Sequence, residues 1–219
     1  MDKIEIWHGT NNKFAVIFTR NDFSNEKIIK ICSKFKTEGL MLLNIVNKNT
    51  ISMSFYNPDG TKDNCGNGLR VAAFYCYSKK HVGLQGKILS LNREFKYKIE
   101  QNTVYVTFNS VSKCDGLWNI GGVLHKVIIV KSFERWKRKT QSLRKKYNAN
   151  ITLVRNCGKD IFARTFEMGV ENFTASCGTG SIAASLETGK SQIFMPGGVL
   201  TVNNYEGVIS LGGIVGRLR

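Results

Sequence analysis

Cys65-Gly66-Asn67-Gly68-Leu69-Arg70-Val71-Ala72-Ala73-Phe74 and Cys177-Gly178-Thr179-Gly180-Ser181-Ile182-Ala183-Ala184-Ser185-Leu186 nearly repeat one another, 112 positions apart in a chain of 219 residues. Each segment reads as a cysteine followed by the first turn of an apolar helix, about half a chain apart. The pattern predicts two similar halves, each presenting one thiol at a helix N-terminus. There the unpaired N–H groups and the partial positive charge lower a thiol's pKa and favour thiolate. The glycines let a bound anion approach the backbone closely, so Gly66, Asn67, Gly178 and Thr179 are candidate walls of a carboxylate cradle. One such motif alone is commonly a small buried cysteine at a turn. A matched pair is what removal of a proton from one face of a carbon, and delivery to the other, requires.

The elements around the pair follow one order twice. Ile4–Trp7 and Phe14–Thr19 read as strands about the polar turn His8–Lys13. Glu26–Lys36 reads as a helix, with Ile28, Ile31, Cys32 and Phe35 at helical spacing. Leu40–Val46 and Thr50–Tyr56 are strands, Asn57-Pro58-Asp59-Gly60 a turn, and Gly66 to Tyr77 a helix. Ile88–Leu91, Phe95–Glu100 and Thr103–Asn109 complete the first half. In the second half, Leu124–Val130 is a strand, the basic segment 131–146 a helix, and Asn150–Arg155 and Ile161–Phe166 are strands. A helix runs from Gly178 to Thr188 and stops before Gly189. Pro196-Gly197-Gly198 is a turn, and Gly207–Leu218 reads as two closing strands. The expectation is an α/β (α+β) chain of two pseudo-symmetric lobes. Residues 1–109 carry Cys65, completed by the C-terminal stretch 207–219, and residues 110–206 carry Cys177.

Composition narrows the class. Hydrophobic residues at 42% and aromatic residues at 11% suit a folded globular protein. No apolar run approaches the roughly 18 residues of a membrane span. Met1-Asp2-Lys3-Ile4 lacks the order of a signal peptide, which points to the cytoplasm and to reduced thiols. With no C-x-x-C pair and only three histidines, no metal site is expected. Cys32, Cys76, Cys114 and Cys157 are read as packing residues. The net charge of +16 is the rival signal, because it could draw nucleic acid, an anionic membrane surface or a small anion. It peaks in Lys131–Lys146, with eight Lys or Arg against Glu134. That segment reads as a solvated helix with Phe133, Trp136 and Leu143 turned inward rather than as a nucleic-acid patch.

Several motifs, in order, resemble the diaminopimelate epimerase family, whose members racemise without pyridoxal phosphate. His8–Phe14 is similar to that family's MHGxGNDF and places Asn12 on its substrate-binding asparagine. Lys36–Leu40 is similar to GxGADGL, Tyr56–Thr61 to FNADGS, and Asp63–Arg70 to the segment ending MCGNGxR. Gly122-Val123-Leu124-His125 lies at GNPH, Asn148–Ile151 at the N-[VA]-x-F strand, Thr165–Gly169 at YERG, Ser176–Gly180 at ACGTG, and Met195–Gly198 at the late PGG turn. The resemblance implies two strand-wrapped central helices with the active site in the cleft between the lobes. It implies Cys65 and Cys177 as an acid–base pair, His125 and Glu167 as polar groups of the catalytic centre, Asn12, Asn57 and Asn148 as substrate contacts, and no cofactor. Dimerisation is common in the family, so a homodimer is the assembly it suggests.

The departures bear on the substrate. The YERG arginine and the GNPH asparagine, which hold the distal carboxylate of diaminopimelate, are Met168 and Val123 here. A distal carboxylate without its bidentate partner loses a few kcal/mol. The expected substrate is therefore a free amino acid without that group, with L-histidine, as used by histidine racemases of metallophore pathways, the best match. Diaminopimelate itself, a proline-racemase-like dehydration and a basic nucleic-acid-binding module are the alternatives. Retention of both cysteines favours racemisation, since elimination needs one base.

Overall fold

The computed structural model describes residues 3–134 and 136–218, and of Lys137 the backbone alone. The chain divides into two compact units, Met1–Thr107 with Gly213–Arg219, and Phe108–Gly212. Their helices and strands follow one plan.

In the first unit, β1 (Ile4–Gly9) and β2 (Asn12–Phe18) form an antiparallel hairpin. Thr10 and Asn11 turn it with φ of 50° and 67°, the left-handed pair that a two-residue hairpin needs. Helix α1 (Asn25–Phe35) crosses over to β3 (Leu40–Asn47), which lies parallel to β2. Ser24 caps α1, its hydroxyl accepting from the Lys27 N–H at 3.4 Å. The apolar stripe read from sequence packs Ile28, Ile31 and Cys32 against Ala15, Ile17, Leu40 and Leu42. Strand β4 (Thr50–Tyr56) is antiparallel to β3, and the short β5 (Lys62–Asp63) returns along it. Helix α2 (Gly66–Ser78) follows, then β6 (Gln85–Ser90), β7 (Arg93–Glu100) and β8 (Thr103–Phe108).

The second unit repeats this. A preceding hairpin strand, β9 (Val111–Cys114), pairs with β10 (Leu117–Ile120). Then β10 and β11 (Val123–Ile129) form the hairpin, and α3 (Trp136–Tyr147) crosses over to the parallel β12 (Asn150–Cys157). Strand β13 (Asp160–Glu167) is antiparallel to β12, and the two-residue β14 (Asn172–Phe173) returns along it. Helix α4 (Gly178–Thr188) leads to β15 (Gln192–Met195), parallel to β13, and on to β16 (Gly198–Tyr205) and β17 (Val208–Arg217). In the first unit, β6 lies parallel to β4 in the same way. The chain re-enters that unit along β17, which pairs with β1 and β8 and closes its strands into a ring.

The central helices are buried on every side over their first eight residues and are mostly apolar there, as suits a helix enclosed by strands. Residues 66–73 of α2 and 178–185 of α4 are buried throughout. Their Gly, Ala and Ser residues keep them thin enough for surrounding strands to pack closely. Helix α3 is the surface kind. Trp136, Leu143 and Tyr147, with Phe133 before it, pack on Val130, Ile151, Leu153 and Phe166, as the inward stripe predicted. Arg135 of the basic segment lies outside the described residues, as do Met1, Asp2 and Arg219.

Three sequence expectations differ from the structure. The stretch 207–218 is one strand rather than two, because Gly212 and Gly213 continue the extended backbone; Gly212 pairs with Thr201. Strands β5, β9, β10, β14, β15 and β16 go beyond the elements expected from the sequence. Cys32 and Cys76 are buried packing residues, but Cys114 and Cys157 are exposed, each at the end of a strand where a hairpin turns. Among the described residues, no helix is long and apolar enough to cross a membrane, which does not bear on spanning by strands.

Candidate active site

Both cysteines cap the helices they precede, and with the same backbone. Cys65 has φ −129° and ψ 114°; Cys177 has φ −129° and ψ 115°. Each sulfur accepts from the N–H three residues on: Cys65 Sγ from Gly68 at 3.4 Å, and Cys177 Sγ from Gly180 at 3.3 Å. A sulfur in the serine or aspartate capping role sits against the positive end of the helix, where thiolate is stabilised. Cys65 is half-buried and Cys177 is 4% exposed.

In the first unit, Gly66 and Asn67 form the opening turn of α2, and both are buried. Asn67 Oδ1 accepts from Arg70 Nη2. Arg70 is fully buried, and its Nη1 donates to Thr10 Oγ1 at 3.0 Å. Burial lowers the guanidinium to about 10, and the charge of Cys65 opposes that fall. Arg70 is therefore a cation at neutral pH. Asn12 opens β2 and is buried. Asn57 is half-buried in the turn after β4, where its Nδ2 donates to Thr61 Oγ1 at 3.1 Å.

In the second unit, His125 on β11 is fully buried. Its Nε2 lies 2.8 Å from Thr179 Oγ1, and its Nδ1 lies 3.1 Å from Thr152 Oγ1. Burial pushes the ring down to about 3, so it is neutral at physiological pH. Thr152 Oγ1 in turn lies 3.2 Å from Thr165 Oγ1. The structure thus joins His125, Thr179 and Cys177, with Thr179 Oγ1 3.6 Å from Cys177 Sγ. Glu167, at the end of β13, accepts from Thr174 Oγ1, which lies 3.5 Å from Ser176 O, one residue before Cys177. Met168 is 53% exposed, its N–H held by Asn150 Oδ1 at 2.7 Å. Val123 is half-buried at the start of β11, and Asn148 is exposed with φ 46° at the link from α3 to β12.

Some contributors carried no local sequence signal. Met195 Sδ accepts from the Cys177 N–H at 3.2 Å and from Ser181 Oγ at 3.0 Å, fixing the cap from outside the motif. Thr152 and Thr165 are two threonines among strand residues. Arg70 was visible, five residues after Cys65 in an otherwise apolar run, yet nothing local gave it a role. Among the described residues, no cluster of His, Cys, Asp and Glu could hold a metal ion.

The plan of a central helix enclosed by strands, present twice, is shared with solved structures. The chain superposes on a phenazine biosynthesis protein of the PhzF family from Bacillus anthracis with a TM-score of 0.76, at 13% identity, covering 99% of this chain and 96% of that one. It superposes on a hydroxyproline epimerase from Agrobacterium vitis with a TM-score of 0.67, at 11% identity, covering 99% and 90%. At these identities the likeness is one of fold. No family model matches the chain. In sequence it is similar to the diaminopimelate epimerase of a Nitratiruptor species, 28% identical over 207 residues, 87% of this chain and 82% of that protein. It is 30% identical over 216 residues to a diaminopimelate epimerase of Helicobacter pylori, covering 81% of this chain and 77% of that one. The chain belongs to the diaminopimelate epimerase family and is an isomerase of the racemase and epimerase class.

Proposed function

We propose that this protein is a cytoplasmic, cofactor-independent amino-acid racemase in which Cys65 and Cys177 exchange the α-proton of a free amino acid, with L-histidine to D-histidine as its reaction. The observation that carries the two-thiol reading is the matched pair of cysteine caps, equal in backbone and in the N–H each sulfur accepts. One sulfur, as thiolate, takes the α-proton and becomes a thiol. The electron pair of the broken C–H bond moves into the carboxylate, where N–H donors at the helix ends oppose the growing charge. The other sulfur gives its S–H proton to the opposite face and becomes a thiolate. The reverse reaction starts from the opposite protonation. Because its ring is buried and neutral, His125 acts through Thr179, and Glu167 acts through Thr174 on the loop before Cys177.

The substrate reading rests on Met168 and Val123, where the family has groups for a distal carboxylate. An imidazole can pack against these two apolar side chains and hydrogen-bond to Asn57 or Asn148, with Asn12 as a further substrate contact. Diaminopimelate is the second reading, supported by the names of relatives at 28% and 30% identity. A homodimer is the assembly proposed from family resemblance.

Reduced protein would be incubated with single L-amino acids and with LL-diaminopimelate, and each mixture resolved by chiral chromatography. Histidine is expected to turn over fastest. Slower turnover of histidine than of leucine, methionine or arginine would remove the histidine assignment, and faster turnover of diaminopimelate would install the second reading. Cys65→Ala and Cys177→Ala should each lower net racemisation by about 10³-fold, as loss of a proton-transfer group does.

A further inference from the structure

The residue two places after each cysteine is held from behind by a buried side chain, and the two supports differ in charge. Asn67 is held by Arg70, a cation. Thr179 is held by His125, a neutral ring. Ile182 occupies the place after Cys177 that Arg70 occupies after Cys65. The Arg70 Nε is buried without a hydrogen-bond partner, so its charge is incompletely compensated by hydroxyl and amide oxygens alone. A buried cation left in this state favours a nearby anion.

We propose that Arg70 is a positioning residue that sets which thiol rests deprotonated, keeping Cys65 as the thiolate while Cys177 keeps its proton. This rests on the reading of the two cysteines as the acid–base pair. The other charged or titratable groups on elements packed against α2 have partners elsewhere or face solvent. Glu5 of β1 pairs with Lys79 at the far end of α2. His8 of β1 accepts from the Asn11 N–H, and burial lowers its pKa. Tyr56 of β4 reaches Asp22, and Tyr97 of β7 lies near Cys76 and the Gly83 carbonyl. The remaining β7 groups, Arg93, Glu94, Lys96, Lys98 and Glu100, are exposed, as are Lys62 and Asp63 of β5.

Around α4 the arrangement is different. Lys126 of β11 reaches the Gly116 carbonyl, and Glu187 at the end of α4 binds Lys113 and Trp118. On β12, Arg155 lies over Phe133 and Phe162, and Cys157 is exposed. On β13, Asp160 is exposed and Arg164 lies over Phe133. Tyr205 of β16 is 75% exposed. The carboxylate held at the Cys177 loop is that of Glu167, which accepts from Thr174 Oγ1 three residues before Cys177 and opposes a second negative charge there.

The test is the pH dependence of alkylation of the reduced full-length protein by iodoacetamide, with the Cys65 and Cys177 peptides quantified separately by mass spectrometry. It needs no substrate, so it can fail while the racemase reading stands, and the reverse. Midpoints are compared rather than rates, because the two sulfurs differ in exposure. In the wild type the Cys65 midpoint should lie about one pH unit or more below that of Cys177. Arg70→Met should raise the Cys65 midpoint and leave that of Cys177 in place. If that variant does not fold, Thr10→Val, which takes one compensating oxygen from Arg70 and leaves its charge in place, should lower the Cys65 midpoint. Equal or reversed midpoints in the wild type would overturn the proposal. So would a Cys65 midpoint that no folded variant moves, which would leave the helix N-terminus alone as the cause.

Discussion

His125 and Gly180 show how tightly single residues are constrained around Cys177. Below its ordinary pKa of 6.5 the unfolded chain protonates His125, whereas the folded protein holds the ring neutral down to about 3. Stability from this group is therefore complete above pH 6.5 and is lost as pH falls toward 3, by roughly 1.4 kcal/mol per pH unit for one proton. Urea unfolding of the wild type at pH 6.5 and pH 5 should show that loss, and His125→Gln should show less of it. A Cβ at Gly180 would collide with Thr165 Oγ1 and stand 3.1 Å from Thr152 Oγ1 and 3.2 Å from Cys177 Sγ. Gly180→Ala should cost about 1–3 kcal/mol in the same measurement, because the crowded partners are buried threonines that already bond to one another or to His125.

Among the elements, α2 and α4 were legible in sequence and their surroundings only partly so. The Cys-Gly-x-Gly opening, an all-round apolar run and Gly189 at the end of α4 fixed the helix limits closely, because caps and periodicity are local signals. Val111–Cys114 and Leu117–Ile120 were missed because each is only four residues long, too short to show alternation. The stretch 207–218 reads as two strands, but it is one from Val208 to Arg217, with Gly212 held extended by its pairing with Thr201 of β16. The cysteines and His125 were legible from motif order. Neither the Met195 contact to the Cys177 N–H nor the Arg70 support of Asn67 was, because each depends on tertiary placement. Element exchange tests the Met195 contact. Met195→Leu keeps the volume but removes the sulfur acceptor from the Cys177 N–H and from Ser181, and should cost about 1–2 kcal/mol in unfolding free energy.

For the whole chain, the C-terminal strand must return to the first unit, and Glu5 helps to hold it there. Its buried carboxylate pairs with Lys79 at 2.7 Å and with Arg217 of β17 at 3.3 Å. Burial alone would raise the Glu5 pKa, but the hydrogen bond and charge of Lys79, with the charge of Arg217, bring it below its usual value. Its contribution is therefore present above the ordinary carboxylate range and lost as pH falls through the lowered pKa. Glu5→Gln should lower the unfolding free energy at pH 7 by about 1–2 kcal/mol, with a smaller difference from wild type at pH 3, since the cations it pairs are partly exposed. The net charge of +16 includes the basic helix α3, whose apolar face packs on the core; a salt titration of DNA binding checks the nucleic-acid alternative, and weak affinity that falls steeply with salt would mark the charge as nonspecific. In the proposed reaction two thiols, one from each half, invert one carbon. The direct measurement is racemisation in D₂O stopped at early conversion, with deuterium at the α-carbon read separately in each isomer by mass spectrometry. Two opposed acid–base groups predict that the newly formed D-isomer carries solvent deuterium while the remaining L-isomer keeps its proton. Deuterium entering both isomers equally from the start would mean that a single base serves both faces, and would contradict the account.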